Sequence, residues 1–104
     1  MNLKDIIKHF KRCMTYEGTA SHCNVYVEET EDSYVVSYFH IEPLIVCNLD
    51  SEMYFQRKRK ELHKTEKEFR KNLVKNDYIY EMINGYTYKI KKEKLAKGTN
   101  NGNI

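Results

Sequence analysis

Apolar residues recur along the chain with two different periods. Leu3, Ile6, Ile7, Phe10 and Met14 repeat at helical spacing, with Lys4, Lys8, Lys11 and Arg12 between them, which predicts a helix over 3–14. Asn2 is placed to cap its first turn, and Asp5 sits where a carboxylate complements the helix N-terminus. From Asn24 the period changes to two. Val25 and Val27 alternate with Tyr26 and Glu28, then Val35, Ser37 and Phe39 alternate with Tyr34, Val36 and Tyr38. Thr30-Glu31-Asp32-Ser33 between the two runs is turn chemistry, so an antiparallel hairpin is expected. Pro43 suits a strand start, and Leu44–Leu49 reads as a short buried strand.

Asp50 and Ser51 are N-cap candidates ahead of the longest periodic segment, Glu52 to about Asn76. Its apolar line is Phe55, Leu62, Phe69 and Leu73. Arg59 and Glu66 fall in the same stripe, which implies either partial solvation or pairing with another copy in which Arg59 meets Glu66. Beyond it, Asn84-Gly85 separates two runs rich in Tyr and Ile, the signature of a type I′ hairpin with Ile83 opposite Tyr86 and Ile79 opposite Ile90. A competing reading extends the helix to Ile83 and makes Gly85 its C-cap. The hairpin is preferred for its density of β-forming residues. Alternation then puts Tyr86 and Tyr88 in the core and leaves Tyr78 and Tyr80 outward.

The fold expected is α+β, one domain over 1–97, with element order α-β-β-β-α-β-β. An antiparallel sheet is packed by the N-terminal helix and a long basic helix. Residues 98–104 lack periodicity and read as a disordered tail. The order over about 3–76 resembles that of a double-stranded-RNA-binding domain, and the resemblance implies a second helix that presents basic residues to phosphates. It rests on element order alone: that family's Gly-Ser-Lys-Lys stretch and Ala-rich packing are absent here.

Charge sharpens this picture. The 104 residues carry 18 Lys+Arg and 15 Asp+Glu, a net +3. Residues 1–56 hold four basic and nine acidic side chains (−5), and residues 57–104 hold fourteen and six (+8). On the long helix Arg57, Lys60, Lys64, Lys67, Lys71 and Lys75 fall within an arc of roughly 80°, opposite the apolar line, in a row about 27 Å long. Such a row matches repeated phosphate charge, giving affinity without base readout. Nucleic acid or a nucleoprotein complex is the first partner expected, although Glu61 and Glu68 border the row and would dilute its field.

The contrary feature is a hairpin tip with Glu28, Glu29, Glu31 and Asp32. With exposed Tyr78 and Tyr80, it would make the chain an inhibitor of a host nucleic-acid enzyme or defence complex, as anti-CRISPR proteins are. The Lys-, Asn-, Ile- and Tyr-rich usage suits a phage or mobile-element origin.

Catalysis and cofactors have weaker support. His9, Cys13, His22 and Cys23 are zinc-ligand types, but adjacent His22 and Cys23 point apart in a strand, so no metal site is assigned. His40 or His63 beside the lysines would suit a small ribonuclease, yet no phosphate loop or nucleophile turn accompanies them. A non-enzymatic binding protein without cofactor is expected. The three cysteines and the charged N-terminus point to a cytoplasmic setting, and no apolar run is long enough for a membrane helix.

Overall fold

A computed structural model describes residues 2–15, 22–41 and 49–94, with the side chains of 49–51 left aside. Within these residues the order is α1 (Leu3–Met14), β1 (His22–Glu29), β2 (Ser33–Ile41), α2 (Leu49–Lys75), β3 (Tyr78–Asn84) and β4 (Thr87–Lys94). The four strands form one antiparallel sheet in the order β1-β2-β4-β3. This is the expected α+β domain. The strand expected over 44–49 falls largely outside the described residues, apart from Leu49, which begins α2. The tail over 98–104 lies outside them as well. Among the described residues no helix is long and apolar enough to cross a membrane.

α1 has the expected bounds, and its cap is the expected one: Asn2 Oδ1 accepts from the Asp5 N–H at 2.9 Å. A second orphan donor of that first turn, the Leu3 N–H, donates to the Tyr78 hydroxyl at 2.9 Å across the domain. α2 starts earlier than expected, so Asp50 and Ser51 lie inside its first turn rather than at the N-cap. It ends in a turn closed by the Asp77 N–H to Val74 O, with Asp77 at φ 65° in the left-handed region often used to stop a helix.

Both helices cover one face of the sheet. The core gathers all five periodic residues of α1, then Cys23, Val25, Tyr34, Val36 and Tyr38, Phe69 and Leu73 of α2, and Tyr78, Tyr88 and Ile90. Aromatic rings tie the layers together. Phe10 stacks on Phe69 at 4.1 Å between centroids, and Phe69 meets Tyr88 edge-on at 5.3 Å. These contacts bring α1 and α2 side by side.

The C-terminal hairpin forms, but one residue out of the expected register. Asn84 pairs with Thr87, Met82 with Tyr88 and Tyr80 with Ile90, so Gly85-Tyr86 is the turn. A type I′ turn centred on Asn84-Gly85 would need positive φ at Asn84. Among the described residues, only Asp77 of the non-glycines has one. Asn84 instead closes an Asx-type turn, its Oδ1 accepting from the Tyr86 N–H at 2.8 Å. Strand β2 holds the turn in place: Tyr38 donates its N–H to Tyr86 O and its hydroxyl to Gly85 O. Because side chains alternate, a one-residue slip exchanges the faces of β3. Tyr78 is buried and Tyr80 packs against the core, while Ile79, Ile83 and Tyr86 are exposed. The expected outward placement of Tyr78 and Tyr80, and the inward placement of Tyr86, Ile79 and Ile83, are thus corrected.

Candidate functional site

α2 is long because nothing in Leu49–Lys75 breaks it: the segment has no Gly or Pro and is rich in Lys, Glu and Arg, strong helix formers. It docks through Phe69 and Leu73, which are buried in the core, and Leu62, which packs on the core edge; Phe55, on the same line, is buried as well. Docking that line on the protein turns the opposite side outward. Arg57, Lys60, Lys64, Lys67, Lys71 and Lys75 are all exposed, as the periodicity requires.

The acidic neighbours neutralise this row less than the spacing suggests. Glu61 pairs with Lys58, at 3.4 Å, and Lys58 lies off the row over the Tyr54 ring. Among the described residues, no ion pair joins Glu61 or Glu68 to the six cations of the row. Glu66, the charge that interrupted the apolar stripe, turns towards its own helix, 3.9 Å from Arg70 and 4.0 Å from His63. Its side chain is only 13% exposed, and burial raises its carboxyl above the ordinary glutamate range, with Arg70 opposing. Arg70 donates to the Tyr88 hydroxyl at 2.9 Å, pinning α2 to β4. Burial, reinforced by Glu66, pushes the Cys23 thiol up to about 11.

The helix layer adds cations that periodicity along α2 could not reveal. His9 of α1 lines a groove with Thr65, Glu68 and Asn72 of α2, so the two helices share one outer surface. Lys8 and Arg12 surround a shallow depression with Asp5 and His9 on that side of α1, and both are exposed. The sequence signal was present, since Lys8 and Arg12 lie opposite the apolar stripe of α1. What it lacked was the docking of α1 beside α2.

The acidic hairpin is a less concentrated feature than its sequence. Glu28, Glu31 and Asp32 are exposed at the tip. Glu29 is paired with Lys92 of β4 at 2.7 Å, and that hydrogen bond lowers its carboxyl below the ordinary value. The Lys92 N–H donates to Asp32 O, which places β4 lysines alongside the tip. The aromatic half of the expected inhibitor surface, Tyr78 and Tyr80, is committed to the interior.

The metal-ligand types are scattered. Cys13 Sγ lies 3.6 Å from His9 Nε2 on α1. His22 and Cys23 occupy opposite faces of β1, and among the described residues no three His, Cys, Asp or Glu side chains gather as a metal site would require. His63 stands on the flank of α2 beside Glu66, and His40 lies across from Cys23 in the β1–β2 ladder. Cys47 lies outside the described residues.

No protein-family model matches the sequence, and no curated protein or solved structure matches it.

Proposed function

We propose that this protein is a non-enzymatic binding protein that contacts nucleic acid, free or in a nucleoprotein complex, through the outer surface of its helix layer. The observation that carries the reading is the row Arg57, Lys60, Lys64, Lys67, Lys71 and Lys75, exposed along one side of a helix whose opposite side is docked. A straight row of cations held by a folded domain meets phosphates without reordering the chain, and each phosphate it neutralises releases condensed counterions. With lysines and one arginine, the contacts set affinity and orientation rather than base sequence. The free Cys13 and Cys23 suit a reducing, cytoplasmic setting. The acidic hairpin supports an inhibitor reading less well, because Glu29 is already engaged by Lys92 and the two tyrosines face inward.

Anisotropy titrations with fluorescent duplex and single-stranded oligonucleotides between 25 and 300 mM salt test the proposal. Binding should weaken linearly in log–log form. Replacing Lys64, Lys67 and Lys71 together with Ala should flatten the slope by up to roughly 3, about 0.9 for each B-form DNA phosphate that is no longer neutralised. No binding at the lowest salt, or a slope unchanged by the triple substitution, would reject it.

A further inference from the structure

β1 ends the sheet, and among the described residues no strand pairs with its outer edge. The ladder with β2 shows which backbone groups that edge presents. The hairpin is closed by the Thr30 N–H donating to Ser33 O, so hydrogen-bonded pairs continue at Glu28–Val35, Tyr26–Ser37 and Asn24–Phe39. The Tyr38 N–H, which donates the other way to Tyr86 O of the β3–β4 turn, fits the same alternation. It follows that Cys23, Val25 and Val27 direct their N–H and C=O groups away from the sheet.

Exposed edges are normally blunted by lysine, proline or a bulge. β3, the opposite edge, has register shifts at both of its ends. β1 has no bulge, Lys or Pro: its register with β2 is unbroken over eight residues, and its carboxylates, Glu28 and Glu29, are confined to the hairpin-tip end. It is also apolar on both faces, with Tyr26 59% exposed on one and Val27 39% exposed on the other.

We infer that β1 is a pairing strand for a second copy of this chain, joined antiparallel across a two-fold axis at Val25 to make a continuous eight-stranded sheet. The occupant follows from self-complementarity. Only odd residues present outward groups, so a two-fold pairing must set odd against odd. With Val25 opposite the partner's Val25, Cys23 meets the partner's Val27, and all three of these outward residues on each strand are paired. On the solvent face the same register sets His22 opposite the partner's Glu28 and Asn24 opposite the partner's Tyr26, with no like charges opposed. Centring the axis on Tyr26 instead brings Glu29 against the partner's Cys23, a carboxylate beside a buried thiol. The axis at Val25 avoids that. A closed two-fold contact at Val25 pairs Cys23, Val25 and Val27 of each edge, leaves Glu29 to its ion pair with Lys92, and leaves the α2 row of each copy free.

Sedimentation equilibrium of the full chain from 1 to 200 µM tests this. A mass that doubles and then plateaus is expected. Val25→Pro removes an outward N–H without touching the ladder to β2, and should leave a monomer throughout the range with an unchanged far-ultraviolet spectrum. A wild-type chain that stays monomeric at 200 µM, a mass that climbs past the dimer, or a folded V25P dimer of wild-type affinity would overturn the inference. If V25P fails to fold, cysteine pairs decide. In a Cys13→Ser, Cys47→Ser background, Asn24→Cys with Tyr26→Cys should yield a reductant-sensitive dimer, because non-hydrogen-bonded pairs bring Cα atoms within disulfide range. Absence of that cross-link, or stronger linkage from Asn24→Cys with Glu28→Cys, would overturn the pairing or its register.

Discussion

Glu66 is the residue whose position in the fold most changes its chemistry. It lies on the inner flank of α2, largely covered, with the Cys23 thiol feeling its charge and Arg70 partly compensating it. Its carboxyl titrates above the ordinary range in the folded chain, so the folded state holds a proton that the unfolded state has already released. Stability is therefore complete below the ordinary glutamate pKa, falls as pH rises through the raised one, and stays reduced at neutral pH. Glu66→Gln should melt higher than wild type at pH 7, with the difference shrinking below about pH 4. Arg70 keeps its bond to Tyr88 in that variant. Thermal melts of both proteins from pH 3.5 to 7 check it; equal melting temperatures at pH 7 would contradict the assignment. The sequence showed Glu66 as an interruption in an apolar stripe, without saying which neighbour would cover it.

At the scale of elements, the C-terminal hairpin separates local from non-local information. Asn84-Gly85 marked the turn correctly to within one residue. One residue was enough to exchange the faces of β3, because strand side chains alternate. Two long-range contacts select the observed register: Tyr38 holding the Gly85 and Tyr86 carbonyls, and the Tyr78 hydroxyl accepting from Leu3 at the start of α1. Neither partner is near the hairpin in sequence. Tyr78→Phe leaves the Leu3 N–H without that acceptor in a buried place, and should lower stability by about 1–3 kcal/mol. Urea unfolding measures it; a loss below a few tenths of a kcal/mol would show that water satisfies the donor. The two helices were far more legible. Their apolar residues recur every three or four positions over several turns, a signal that tolerates small errors in boundary.

The whole molecule segregates its surfaces. Two helices cover one face of the sheet and turn cations outward, while among the described residues no strand pairs with the sheet edge at β1, where Tyr26 and Val27 are exposed. Docking α1 beside α2 widens the basic surface beyond the row read from α2 alone. Lys8→Ala with Arg12→Ala should accordingly flatten the salt slope of binding by up to about 2 further when added to the three α2 substitutions. Titrations of the five-fold variant against the triple variant test this, and identical slopes would confine the interface to α2.

Periodicity along the chain determined the two helices, the first hairpin, the α+β class and the outward row on α2, because each depends on residues within a few turns or one strand of each other. Only the tertiary structure decided the register of β3 against β4, the burial of Tyr78 and Tyr80, the pairing of Glu29 with Lys92 and the neighbourhood of Glu66. Each of these joins residues far apart in sequence, where a shift of one position changes which side chain faces inward. Local spacing sets what an element presents; packing sets which neighbour receives it.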